Sequence, residues 1–277
     1  MRRIAFTYAL VILAAFAATA QAQQTGVAAP FIPAAVQFQT ECTGFIASPD
    51  VPHDLYVVGG ADDDFHSVVR QFVQDESIFI SRRNAGDVSV GAEYRIVRPA
   101  NEVFNTTRYQ GERWDVHSLG KPYEDVAQVQ VTHVNPEGAV AKVTLSCGPI
   151  MPGDTLVPFQ PRGTPGYRLS APLDHFAPLD SSKQHGRITA SENNFGFLGR
   201  DTVVYLNLGE KDGAQPGQRF RIYKQLAAHP MGFRQSQRTP PETIGEAVVL
   251  SVQAKSCVAM VVSSYREISA GDYVEKE

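Results

Sequence analysis

The sequence predicts an all-β protein made of two tandem, small, about six-stranded β-barrel-like domains from an internal duplication. Two repeated blocks and the texture of the chain between them carry that prediction. Val126 to Leu156 lies without a gap over Ile244 to Val274, and nine of the 31 aligned positions are identical, against roughly two expected by chance at average residue usage. The identities are mainly apolar or turn residues, such as Val131/Val249, Ala141/Ala259, Val143/Val261, Ile150/Ile268, Gly153/Gly271 and Asp154/Asp272. Asp75 to Val97 likewise overlays Asp201 to Tyr223, with Ile78-Phe-Ile80 on Val204-Tyr-Leu206 and Tyr94-Arg-Ile96 on Phe220-Arg-Ile222. Short runs rich in β-branched and aromatic residues, closed by Gly, Asn and Asp turns, fit pleated strands. Many short strands with frequent turns favour closure into a barrel, which removes free edges.

The elements follow in order. Residues 1–22 read as a cleaved signal peptide. Arg2 and Arg3 precede an apolar run, and Ala20-Gln21-Ala22 is a small-residue cleavage site. The run is shorter than the ~18–20 residues a spanning helix needs. Residues 23–41 are an extended leader. The first domain is placed at 42–158, a Pro-rich linker at 159–184 and the second domain at 185–277. Gly44, Ile46 and Ala47-Ser48 echo Gly186, Ile188 and Ala190-Ser191, so each is expected to open its domain. Residues 62–74 have no counterpart in the second half. Phe65, Val68, Val69, Phe72 and Val73 have helical spacing, and a short helix or an extra hairpin both fit. Each domain then carries a divergent excursion, Pro99 to Asp125 in the first and Lys224 to Glu242 in the second, since loop length costs little. The repeated stretch supplies two strands and an Ile-x-x-Gly-Asp turn.

The repeated pattern is an apolar strand, a Gly turn, G-x-x-[FY]-x-[IV], a variable hairpin, A-x-V and I-x-x-GD. It resembles the C-terminal β-barrel domain of the flagellar assembly protein T family and related exported envelope β modules. The residues are Gly91, Tyr94, Ile96, Ala141, Val143, Ile150, Gly153 and Asp154, and again Gly217, Phe220, Ile222, Ala259, Val261, Ile268, Gly271 and Asp272. The resemblance implies a non-enzymatic binding or scaffold module of the envelope, and no catalytic residues come with it.

Composition narrows the function. The formal net charge is −4 and no basic patch stands out, which argues against nucleic acid or an anionic membrane as partner. Export permits disulfides. Cys42 and Cys147 fall in one domain and are expected to be bridged, with Cys257 free and buried. No spacing matches a zinc site. Asp62-Asp-Asp64 with His66 lacks the spaced pattern of a calcium loop and reads as a solvated loop, so no metal and no cofactor are expected. No catalytic fingerprint occurs. The aromatic excursion Phe104, Tyr109, Trp114 and Tyr123 is the candidate binding loop, for stacking on sugar rings or anchoring a protein; burial of these rings against the barrel is the competing expectation. The predicted protein is periplasmic or secreted, and its expected partner is an envelope protein or a cell-wall polysaccharide. The alternative is a peptidoglycan- or polysaccharide-binding accessory or a hydrolase, for which Asp115 and Glu124 would be the carboxylates.

Overall fold

The computed structural model describes residues 31–60, 71–81, 88–100, 107–168, 174–192, 195–228 and 237–277. In chain order the elements are β1 (Phe31–Pro33), α1 (Gln37–Glu41), β2 (Phe45–Ala47), β3 (Val57–Gly60), β4 (Ser77–Ile80), β5 (Glu93–Pro99), α2 (Glu112–Leu119), β6 (Lys121–Asn135), β7 (Gly138–Ser146) and β8 (Thr155–Pro158). There follow β9 (Gly166–Arg168), β10 (His185–Ser191), β11 (Val203–Leu206), a 3-10 turn at Glu210–Asp212, β12 (Arg219–Lys224), β13 (Ala227–Ala228) and β14 (Gln237–Arg238). The chain finishes with β15 (Glu242–Val252), β16 (Cys257–Ser264) and β17 (Tyr273–Lys276).

The protein is mostly β. Strands β10-β11-β16-β15-β12-β17 form a closed antiparallel barrel, with β17 pairing back onto β10. The first half is a seven-stranded sheet ordered β3-β4-β7-β6-β5-β8, with β2 added on β6. Its two outer strands approach through a Tyr56–Thr155 bridge and backbone bonds between Val57 and both Gly153 and Asp154.

Register is the same in the two halves. Val131 faces Ala141 as Val249 faces Ala259, and each hairpin slips at the same two places, after Gln128 and Val131 in one, after Glu246 and Val249 in the other. The slip after Ile96 recurs after Ile222. Asp75 and Asp201 both adopt positive φ, 71° and 65°. Each donates its N–H to a matched valine carbonyl, Val143 and Val261. An aspartate tolerates that conformation better than a bulky side chain does.

One expectation is overturned. Gly44 to Ser48 does not take the place of Gly186 to Ser191. Val57 and Gly59 face Ile80 and Phe79 as Ile188 and Ala190 face Leu206 and Tyr205, so β3 holds the position of β10. Strand β2 instead pairs with the start of β6, and all three of its residues are buried. The apolar string Phe45-Ile-Ala47 is explained by its position between the halves rather than within the core of one of them. Ser256 of the second half donates to the Ile46 carbonyl there.

Three apolar clusters result. Ile78, Ile96, Val129 and Ile150 form the core of the seven-stranded sheet, and Ile188, Phe220, Ile222 and Ile268 fill the barrel. The third joins Phe45, Ile46, Val97 and Tyr123 to Tyr205, Val248, Leu250 and Met260. The third cluster forms because strand residues alternate: one face fills the barrel, the other meets the opposite half. Of the 62–74 segment, residues 62–70 lie outside the described residues, including Asp62, Asp63, Asp64, His66, Phe65, Val68 and Val69. Phe72 is buried and bridged to Ile150, as Leu198 is to Ile268.

Cys42 and Cys147 form a disulfide with their Cα atoms 5.5 Å apart. Cys257 is a free, buried cysteine, and burial pushes its thiol pKa up. No helix among the described residues is long and apolar enough to cross a membrane.

Candidate binding site

The excursion after β5 is where the first half departs from the second. Helix α2 opens after Gly111, which sits at φ 96°. The Glu112 carboxylate accepts the Arg108 backbone N–H ahead of that turn. Val116 and Leu119, three residues apart, are buried and give the helix its inner stripe. It ends at Gly120, at φ 140°, where a Cβ would lie 2.0 Å from the Ala47 carbonyl oxygen, so only glycine fits.

The helix leans on the second barrel through a chain of polar contacts. The Tyr109 hydroxyl donates to Asp115 at 2.9 Å. Arg187 reaches the same Asp115 oxygen at 3.4 Å and donates to the Tyr273 hydroxyl at 2.9 Å. Its guanidinium also stands over the Tyr109 and Tyr273 rings, 5.2 and 4.8 Å from their centroids, a stacking geometry that suits arginine. Burial, with the hydrogen bond to Asp115 next, pushes the Tyr109 hydroxyl pKa up. Lys255 donates to the Ser118 carbonyl at 3.2 Å.

The four aromatic residues of the predicted loop therefore separate. Tyr123 is buried in the cluster between the halves, stacked on Phe45, and accepts the Val51 N–H. Tyr109 is half-buried and committed to the α2 clasp. Phe104 lies outside the described residues. Trp114 is 78% exposed.

Trp114 borders an open cleft of about 800 Å³. Arg113, His117, Lys121, Pro122 and Asp50 line it with the indole. Among the described residues no hydrogen bond or ion pair engages the side chains of Arg113, His117 or Asp50, and the Lys121 side chain does no more than stand over the Tyr123 ring at 5.6 Å. The cleft thus combines one flat aromatic face, two fixed cations, an imidazole and one carboxylate, all free to meet a ligand. Asp115 and Glu124 are not presented as a carboxylate pair. Asp115 is spent on Tyr109 and Arg187, and Glu124 lies on β6 opposite Arg98. Among the described residues no group of three or more His, Cys, Asp or Glu could hold a metal ion.

A second polar cluster lies beneath the seam between the halves, and the sequence reading did not find it. Arg95 pairs with Glu41 and reaches Asp125 at 3.4 Å; Arg162 pairs with Asp125 from the other side. The Gly44 N–H also bonds Asp125, at 2.7 Å. Nearby, the fully buried Tyr205 donates to the Thr43 carbonyl at 2.7 Å, and burial pushes its hydroxyl pKa up. Burial, then the Asp125 charge, raises the Glu192 carboxyl. The signal was present in the repeat: the arginine in Tyr94-Arg-Ile96 and Phe220-Arg-Ile222. Arg221 pairs with buried Glu275 as Arg95 pairs with Glu41. Both arginines also hold the 159–184 segment. Arg95 donates to the Gln160 carbonyl, and Arg221 to those of Ala177 and Pro178.

Comparison with protein-family models yields no match, and comparison with curated proteins yields none either.

Proposed function

We propose that this chain is an exported, non-enzymatic binding or scaffold module of the cell envelope, built by duplication of one barrel unit, that engages its ligand at the Trp114 cleft. The observation that carries the reading is the exposed indole of Trp114 on a helix whose other side is fixed. Large aromatic side chains are usually mostly buried, and a rigid exposed one is a favoured anchor for a partner. The duplication is supported by the matched registers, including the matched slips, together with the repeated sequence. Export is compatible with the Cys42–Cys147 bridge. The likeness of the repeated turns to the flagellar assembly protein T family supports an envelope setting. Two classes of partner suit the cleft, an envelope protein and a cell-wall polysaccharide. The hydrolase alternative is not favoured, because Asp115 already serves Tyr109 and Arg187.

Retention on purified envelope fractions tests the proposal. The wild-type protein is expected to be retained without releasing soluble fragments, and Trp114→Ala to lose retention at unchanged thermal stability. Fragment release would overturn the non-enzymatic reading. Equal retention of Trp114→Ala would remove the cleft from it.

A further inference from the structure

The cleft has a charge opposite to that of the protein around it. The chain is acidic overall, at −4, yet among the described residues the Trp114 cleft sets Arg113 and Lys121 against one carboxylate, Asp50, with His117 beside them. Among the described residues neither cation is neutralised by a carboxylate. We infer that the cleft takes a carboxylate-bearing saccharide, with a sugar ring on the Trp114 indole and its carboxylate met by Arg113 and Lys121. This rests on the reading of the cleft as the ligand site.

The chemistry selects that class from its rivals. An apolar peptide anchor needs an enclosed apolar pocket, and this cleft is open, with Trp114 and Pro122 its apolar side chains among the described residues. A single nucleic-acid strand also stacks on aromatic rings, but it needs a basic groove tracking its phosphates and successive rings. Among the described residues the cleft offers one indole and two lysine or arginine cations, not a run of rings and cations along a strand. A sugar acid matches each group present. Its C–H face suits the indole, its carboxylate suits a guanidinium, and its hydroxyls donate to Asp50 while accepting from His117 or Lys121.

Trp114 is the single tryptophan of the chain, so intrinsic fluorescence reports on this cleft directly. The full protein would be titrated with hexagalacturonate, maltohexaose and hexathymidylate at low salt, with calorimetry as a second readout. The expected result is a saturable fluorescence change with hexagalacturonate. Its affinity should exceed that for maltohexaose by about tenfold or more and should fall as salt is raised. Arg113→Ala/Lys121→Ala should weaken hexagalacturonate about tenfold, a loss of ~1.4 kcal/mol, while its melting curve stays that of the wild type. If that double variant proves unstable, Arg113→Gln alone, on the solvent side of α2, is expected to show a smaller loss of the same sign. Equal affinity for the two hexasaccharides would overturn the carboxylate assignment. Hexathymidylate bound as tightly as hexagalacturonate would overturn the saccharide assignment. Binding of none of the three, with Trp114-dependent retention on envelope fractions intact, would overturn this inference and leave the binding module standing.

Discussion

Removing the Cys42–Cys147 bridge is expected to lower stability steeply. The two cysteines are 105 residues apart in sequence, so the cross-link closes a long loop of the unfolded chain. For a loop of that size the chain-entropy relation gives about 5 kcal/mol. For a domain of this size each kcal/mol moves the melting temperature by roughly 2–4 °C, so the expected fall is roughly 10–20 °C. The measurement is a thermal melt by circular dichroism of Cys42→Ala/Cys147→Ala, alongside the wild type with and without dithiothreitol. Cys257 does not complicate the comparison, because it is buried and its thiol pKa is pushed up. Cys42 follows Glu41 directly, the residue that pairs with Arg95, so the loss should couple to Glu41→Gln rather than add to it. A shift below about 3 °C in both the reduced wild type and the double variant would refute the reasoning. It would mean that the unfolded chain is already held compact between these positions.

The remaining predictions concern the seam and the helix. Asp125→Ala takes a carboxylate from buried Arg95 and part-buried Arg162 and should cost about 3–5 kcal/mol in urea unfolding; a cost below about 1 kcal/mol would show that water or Glu41 takes over. Glu192 has a raised carboxyl pKa from burial and the Asp125 charge, so its ionised form opposes folding. Its penalty is absent below the ordinary glutamate range, grows as pH rises through that range to the folded value, and then levels off. Glu192→Gln should therefore stabilise the protein at neutral pH and converge with wild type in acid; a stabilisation greatest in acid would contradict the sign. Gly120→Ala should unfold α2 or shift β2, because both its φ and the Ala47 carbonyl oppose a Cβ; loss of amide protection in α2 by hydrogen exchange is the readout.

The repeat made the strands and their order legible, because barrel-facing positions such as Ile78 and Val204, or Ile96 and Ile222, must stay apolar in both halves. The opening strand was misplaced for a physical reason. The residues equivalent to Ala190 and Ser191 are Gly59 and Gly60, which carry no side-chain pattern, whereas the seam strand Phe45–Ala47 is apolar and resembles a barrel strand. Helix α2 was hidden as well. Its inner stripe consists of Val116 and Leu119, with Glu112 the other buried residue, and no Ser, Thr, Asp or Asn caps it. The bridge could be expected from cysteine count and position. The ion cluster could not, because Glu41, Arg95, Asp125 and Arg162 come from four separate segments. Among the proposed aromatic residues, exposure depended on tertiary contacts: Tyr109, just before α2, and Tyr123, on β6, are drawn into the seam, and Trp114, on α2, stays exposed.

The two arginines that grip the connecting segment impose a rule on anyone dividing this protein. Arg95 stands on β5 of the seven-stranded sheet and Arg221 on β12 of the barrel, and each is sheltered by backbone carbonyls from the stretch between them. A first-half fragment ended before Gln160, or a second-half fragment begun after Pro178, would strip the cover from an arginine locked to a buried carboxylate. Fragments should therefore divide the segment unequally: residues through Arg162 stay with the seven-stranded sheet, and those from Ala177 go with the barrel.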